Sequence, residues 1–342
     1  MSASPIMVVS CADAKFLPYV GAVAASIGRS TSAPVDYLVF YDGPESVDTE
    51  ALDGFAIGSV RVTLRRAPDW IARYGTVDGY PPVTVLRLRL QDELPELDSI
   101  IYLDGDVLVR RDLSDLAKVE MGDAPIAAVV DRAYQLSPRA VARPVDTSPA
   151  YDAQRCIAEI TGLARSGPGE YINSGVLRMN LAALRNEGFG ARSELILAKW
   201  NKLLRYRDQD VFNIALQGRI RHLDPAWNAL VGVMLKSPRR IPSDLRDEIE
   251  AERWNPAIVH FAGSRKPWLT AKPLPFAGAW WHFARQSPTI STIEARYQAR
   301  MAVERRSPNV ARWLAITGAR RYLRWSGAQL ARPQMREGHA NG

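Results

Sequence analysis

The chain has 342 residues, 47% of them hydrophobic and 24% charged, with a formal net charge of +7. That suffices for a large core, in about two domains by length alone or in one elaborated α/β domain. Two distant cysteines, Cys11 and Cys156, exclude a disulfide framework and a zinc cluster, and no apolar run reaches the roughly 18–20 residues of a membrane span.

The opening Met1-Ser-Ala-Ser-Pro-Ile lacks the basic start and apolar core of a signal peptide, so a reduced, cytoplasmic setting is expected. Ile6 to Cys11 predicts a buried strand. Phe16 to Arg29 predicts a helix, with apolar positions at Leu17, Val20, Val23, Ala24 and Ile27. Val35 to Tyr41 predicts a second strand closed by Asp42-Gly43-Pro44, Glu45 to Phe55 a helix, and Ser59 to Leu64 a third strand. This βαβαβ rhythm predicts a parallel sheet with right-handed crossovers. Asp69 to Pro82 carries Trp70, Tyr74 and Tyr80 among Gly and Pro and reads as a loop. Val83 to Leu94 holds two patterns. Leu86, Leu88 and Leu90 alternate with Arg87 and Arg89 like a strand, while Leu86, Leu90 and Leu94 recur at helical spacing. Helix is preferred, because a crossover must precede the next strand.

That strand, Ser99 to Leu103, is short and apolar and runs straight into Asp104-Gly105-Asp106. Ligands bind at the carboxyl ends of strands in open α/β sheets. Two carboxylates around a glycine suit one hard divalent cation, Mg²⁺ or Mn²⁺. They equally suit an acidic turn bonded to its own backbone. Ala124 to Asp131 is another short strand ending in a carboxylate. Residues 132–170, rich in Pro, Ser, Arg and Gly, are expected to form a mobile excursion. Tyr171 to Asn180 resumes the sheet and sets the Asn173 amide beside Gly175. Leu181 to Arg205 reads as helical. Asp208-Gln209-Asp210 opens a further helix, where acids ordinarily cap and the intervening Gln209 suits a polyhydroxyl ligand. Pro256 to His260 is a late strand. His260 ends it and is the natural third ligand if a metal sits at the aspartates, since Mn²⁺ accepts imidazole. By itself it reads as a buried core histidine. The turn Gly263-Ser-Arg-Lys266 suits a phosphate, or is an ordinary basic turn. Ala277 to Arg306 is mostly helical.

In this order the blocks Leu86-Arg-Leu-Arg-Leu…Ile101-Tyr-Leu-Asp-Gly-Asp-Val-Leu-Val, Tyr171-Ile-Asn-Ser-Gly-Val-Leu, Asp208-Gln-Asp-Val-Phe-Asn213 and His260-Phe-Ala-Gly-Ser-Arg-Lys-Pro-Trp268 resemble the family 8 glycosyltransferases. That retaining, metal-dependent family includes bacterial lipopolysaccharide galactosyl- and glucosyltransferases and glycogenin. The opening Val9-Ser-Cys-Ala-Asp13 fits as well. The resemblance covers roughly residues 5–285 and leaves 286–342 as a helical, basic extension. It implies a Rossmann-like GT-A fold, α/β with a mixed, mainly parallel sheet. It implies a UDP-sugar donor and Mn²⁺ (or Mg²⁺). By motif position Asp104, Asp106 and His260 would bind the metal. Asp13, with the Cys11 backbone, would read the nucleoside, and Arg87 would contact donor phosphate or sugar. Gly263 and Lys266 would hold the diphosphate, and Asp131, Asn173, Asp208 and Gln209 would surround the transferred sugar. Two positions depart from the family pattern: Gly105, where Ser, Thr or Ala is commoner, and Lys15, where a small polar residue often meets the base.

Two other readings compete. A haloacid-dehalogenase-type phosphatase would use Asp104 as nucleophile and Asp106 as general acid, but its motif belongs near the start of its fold, and here a βαβαβ unit precedes it. A non-catalytic basic binding protein would act through the tail. Eight arginines lie between Arg305 and Arg336, with no lysine or acid. Without them the chain is close to neutral, so the charge does not point to a nucleic-acid partner. With Trp313, Tyr322 and Trp325 among them, these arginines suggest peripheral contact with an anionic membrane surface.

Overall fold

A computed structural model describes residues 4–77, 79–136, 170–200, 204–270 and 272–304. The expected excursion at 132–170 falls mostly outside them, as does the basic tail from residue 305. The strands are β1 (Ile6–Asp13), β2 (Val35–Asp42), β3 (Ala56–Ile57), β4 (Val60–Arg66), β5 (Ser99–Leu103) and β6 (Val107–Val109). They continue with β7 (Ile126–Val130), β8 (Ile172–Asn180), β9 (Ile220–His222), β10 (Ala229–Leu230) and β11 (Ile258–His260).

Eight of these form one sheet, in the order β3-β4-β2-β1-β5-β8-β7-β9. The predicted unit is present: β1, β2 and β4 run parallel, with the helix Val20–Ser30 as first crossover. The sheet is mixed, because β8 enters antiparallel between β5 and β7. Alternating side chains build two cores. Val8 shares one with Val20, Val23, Ile27 and Leu113; Val9 shares the other with Leu86, Leu90, Leu181 and Phe212. Most of the span from Val83 to Leu94 is helical, as preferred. The span Pro82–Leu88 is a tight 3₁₀ stretch, followed by one α turn at Leu90–Glu93. That places Leu86, Leu88 and Leu90 inside together, which reconciles the two patterns.

A second sheet of three strands, β10-β11-β6, stands beside the first. The corner between the sheets is Asp104-Gly105-Asp106, since β5 belongs to one sheet and β6 to the other. The helix Ala277–Ala284 and the helix Ile290–Glu304 close the described chain. The second buries Ile293 and Met301. It also holds the turn after β1: Thr289 Oγ1 donates to Pro18 O at 2.5 Å and Arg296 to Lys15 O at 2.7 Å. Among the described residues, no helix is long and apolar enough to cross a membrane.

Helix Val20–Ser30 approaches the β3–β4 turn closely at Gly28. A Cβ there would lie 2.3 Å from the Ile57 carbonyl oxygen, which is backbone and cannot step aside. Alanine gains up to about 1 kcal/mol of helix propensity, and a forced backbone shift costs about 1–3 kcal/mol. Gly28→Ala is therefore expected to destabilise by up to about 2–3 kcal/mol in urea unfolding. A stabilised variant would contradict the close approach.

Candidate active site

Asp104 leaves β5 with its backbone N–H on Gly175 O of β8, at 2.8 Å. Asp106 lies two residues on, just before β6. Antiparallel pairing sets Val107 opposite His260, so register alone brings the imidazole to Asp106. His260 Nε2 is 3.3 Å from Asp106 Oδ1 and 3.8 Å from Asp104 Oδ2. One ligand atom from each of the three residues lies within 4.8 Å of the others. Two carboxylates and one imidazole form a donor set that fits a divalent cation. The backbone leaves room for it: a Cβ on Gly175 would lie 2.3 Å from His260 Cε1 and 2.8 Å from Asp104 Oδ2.

Two cations balance the acids. Arg87, on the 3₁₀ stretch, reaches Asp104 Oδ1 at 2.9 Å and Asp208 Oδ2 at 3.2 Å, with its guanidinium 4.5 Å over the Tyr102 ring. Tyr102 donates to Asp104 Oδ1 at 3.1 Å. The Lys266 ammonium lies on Asp106 and on Phe261 O, above the Phe16 and Trp268 rings. Lys266 is thus at the site as expected, but here its partner is a carboxylate. Burial raises the Asp106 carboxyl, yet Lys266 and His260 more than offset it and hold it below the usual carboxylate range. Burial leaves Asp208 raised despite Arg87.

The expected sugar-side residues meet in one hydrogen-bonded chain. Asn173 Nδ2 and Gln209 Nε2 each donate to Asp131 Oδ2 at 3.0 Å. Gln209 Oε1 accepts from Ser174 N at 3.2 Å, and Ser174 Oγ donates to Asp208 Oδ2 at 3.1 Å. Asn228 joins the other end, donating to Asn173 Oδ1 at 2.9 Å and meeting His260 Nδ1 at 2.8 Å. The chain runs His260, Asn228, Asn173, Asp131, Gln209, Ser174, Asp208, Arg87, Asp104, and its two ends lie 3.8 Å apart.

Of the two readings of Asp208, local capping is corrected. Asp208 does not cap its helix. The residue before helix Asp208–Ala215 is Arg207, with no side-chain cap, and the Asp208 carboxylate turns to Ser174 and Arg87. Among the acids of the candidate site, Asp131 does cap a helix, accepting from Tyr134 N at 2.8 Å. Asp13 turns to its own loop, accepting from Phe16 N at 2.8 Å and Lys15 N at 3.1 Å. Gly263 makes a turn at φ 71°, three residues before Lys266. The Cys11 thiol lies near Arg87 and Tyr102, and burial pushes it up to about 12. Sequence reasoning passed over Asn228, Ser174 and Tyr102. Asn228 gave one faint signal, a lone amide between Trp227 and the apolar Ala229-Leu230.

The chain matches the glycosyl transferase family 8 model over residues 7–272. It is 29% identical over 206 residues to general stress protein A of Bacillus subtilis (strain 168), covering 58% of this chain and 63% of that one. It is 27% identical over 177 residues to lipopolysaccharide 1,2-glucosyltransferase of Escherichia coli (strain K12), covering 50% and 44%. The chain spans less than two thirds of the length of either relative. The structure of galactosyltransferase LgtC in complex with donor and acceptor sugar analogs matches with a TM-score of 0.66 at 21% identity, over 82% of this chain and 96% of that one. The architecture of the described residues is thus the GT-A fold.

Gly175→Ala should push His260 and Asp104 apart. Mn²⁺ affinity, read by electron paramagnetic resonance without donor, is expected to fall at least ~10-fold; unchanged affinity would contradict the crowding. A second expectation concerns Arg132, which follows Asp131. Its Nε is 3.4 Å from Glu252 Oε1, and it also pairs with Glu248. Burial pushes the Glu252 carboxyl from 4.5 up to about 7, against the pull of Arg132. A carboxyl raised by folding stabilises when protonated, and that contribution is lost as pH rises from about 4.5 through 7. Over that window wild-type stability should fall relative to Glu252→Gln by up to about 3 kcal/mol. Urea unfolding of both proteins at the two ends of the window checks this; parallel profiles would refute it.

Proposed function

The chain belongs to glycosyl transferase family 8, and from that premise we propose that it moves a hexose from a UDP-sugar to a cell-surface glycan or glycolipid acceptor. One observation carries the reading: the ligand atoms of Asp104, Asp106 and His260 converge within 4.8 Å, beside the Lys266 ammonium. The lipopolysaccharide 1,2-glucosyltransferase relative supports the acceptor class, and the donor and acceptor analogs bound to LgtC support a sugar donor and acceptor.

Asp104, Asp106 and His260 would hold Mn²⁺ or Mg²⁺, which when bound supplies Lewis-acid stabilisation of the departing diphosphate. Lys266 adds a fixed positive charge for the same diphosphate, delivered from a desolvated aromatic seat where it acts strongly. Gly263 gives the turn that presents backbone N–H groups to phosphate. Asp13 and the Cys11 backbone take the nucleoside end, and Arg87 contacts donor phosphate or sugar. Asp131, Asn173, Asp208 and Gln209 surround the sugar, where carboxylates and amides stabilise developing oxocarbenium charge. Gln209 is an amide with both ends already hydrogen-bonded, and Asp208 Oδ2 is held by Ser174 and Arg87. Neither suits nucleophilic attack. Retention then follows from attack by the acceptor on the face that the diphosphate leaves, with the diphosphate taking the acceptor's proton. The basic, aromatic segment 305–342 would bring the enzyme to an anionic membrane surface, and the setting would be cytoplasmic.

The phosphatase reading asks Asp106 to carry a proton as general acid. Its carboxyl is held low by Lys266 and His260, the wrong direction for that role. The passive-binding reading leaves the converging acids without a purpose.

The test is UDP release from a panel of UDP-sugars with Mn²⁺, in wild type and Asp106→Asn. Turnover should require the metal and fall ~10²-fold or more in the variant, in keeping with several kcal/mol of charge stabilisation. No turnover with any UDP-sugar would remove the donor reading. Phosphate release from sugar phosphates in its place would favour the phosphatase.

A further inference from the structure

We propose that Asn228 fixes the tautomer of His260, and that its own orientation is dictated by a backbone amide two links away. Asn228 is then a positioning residue for metal binding, acting through His260.

The deduction begins at Gly175. Its backbone N–H can only donate, and it points at Asn173 Oδ1 at 3.0 Å, so that atom must be the oxygen. The NH₂ of Asn173 then faces Asp131 Oδ2 at 3.0 Å, an acceptor that welcomes it. Asn228 approaches the same Asn173 oxygen at 2.9 Å, and only its NH₂ can do so. Its oxygen is therefore the atom 2.8 Å from His260 Nδ1. An amide oxygen only accepts, so Nδ1 carries the ring proton.

Nε2 is left to face Asp106 Oδ1 at 3.3 Å and Asp104 Oδ2 at 3.8 Å. Between carboxylate oxygens that nitrogen meets either a proton or a cation, and in the neutral ring it is the one with the lone pair. The network thus pre-sets the ring's orientation and keeps Nδ1 protonated, as ligation through Nε2 needs. Burial makes the setting firm: Asn228 is 3% exposed and His260 2%, so no water offers an alternative partner. Strand pairing makes it positional. Leu230 pairs with His260 and Ala229 with Val259, so the backbone that carries Asn228 is fixed to the strand that carries His260.

The ligand half of this inference rests on the metal reading above; the tautomer half does not. Both are read on the full chain without donor. Long-range ¹H–¹⁵N spectra of ¹⁵N-histidine protein without metal, at a pH where the ring is neutral, report the His260 tautomer. Electron paramagnetic resonance of free Mn²⁺ reports affinity. Wild type should show the Nδ1–H form. Asn228→Ala should admit the Nε2–H form and weaken Mn²⁺ by ~10–100-fold. Asn228→Asp, which keeps an acceptor at Nδ1, should retain the tautomer and most of the affinity. Asn173→Ala should loosen the tautomer from one link further away, which keeps the inference testable if Asn228→Ala does not fold. An unchanged tautomer in Asn228→Ala or Asn173→Ala overturns the proposal. A changed tautomer with unchanged Mn²⁺ affinity overturns its ligand half. His260→Ala binding Mn²⁺ as tightly as wild type overturns the metal reading itself.

Discussion

Carboxylates packed at one corner repel each other, and that repulsion is the constraint the site answers. Asp104, Asp106 and Asp208 converge where two sheets meet, with Asp131 three links from Asp208 along the network. Unit charges about 4 Å apart interact by about 4 kcal/mol at an effective dielectric near 20, far more than a typical surface pair contributes. Arg87 and Lys266 meet that repulsion. Arg87 spans Asp104 and Asp208, and Lys266 lies on Asp106. The acids sit at strand ends and at the start of a helix, Arg87 sits on the 3₁₀ stretch Pro82–Leu88, and Lys266 follows β11.

The corner also explains why the site needs two sheets. One sheet could bring Asp104 beside Gly175, but His260 arrives through β6 and β11, which belong to the smaller sheet. The Gly175 backbone lies against the ring with no side chain between. His260 on the smaller sheet and Asn173 and Asp131 on the larger are thus tied by the amides of Asn228 and Asn173. A change at either side is felt as a hydrogen bond lost from a shared, buried chain.

Periodicity carried the reading of β1, β2, β4 and β5, because each is an apolar run long enough to repeat a pattern. It could not carry β6 and β10, which have three and two residues. β11 was legible as the late strand ending at His260, but its partner β6 lies more than a hundred residues away, so the pairing that makes the smaller sheet was not. The side chains that gather at the candidate site were legible where type and position coincided, as in Asp104, Asp106, His260 and Gln209. Partners were not. Asp208 had the composition of a cap, yet tertiary contacts with Ser174 and Arg87 won over local capping. Asn228 was missed for the same reason: its meaning lies entirely in which end of its amide faces which neighbour, and that is set by Gly175 and Asn173.

Arg207 shows how firmly the chain enforces this arrangement. Its φ of 45° is unusual for a residue with a side chain, and a conformation of that kind costs of order 1–3 kcal/mol. The compensation is visible. The guanidinium donates to Tyr74 O at 2.8 Å, Gly75 O at 3.0 Å, Tyr80 O at 3.1 Å and Pro81 O at 3.4 Å. Four carbonyls of the aromatic loop are satisfied by one buried cation, where charged hydrogen bonds are strong. The strained turn directs Asp208 and Gln209 inward at the very start of their helix, and the same side chain holds the loop against that start. Asp208 then meets Arg87 a few residues beyond the loop's end. Strain at Arg207, closure of the loop and the pairing of Asp208 with Arg87 are therefore one arrangement, and none of the three can change without disturbing the charge balance at the corner.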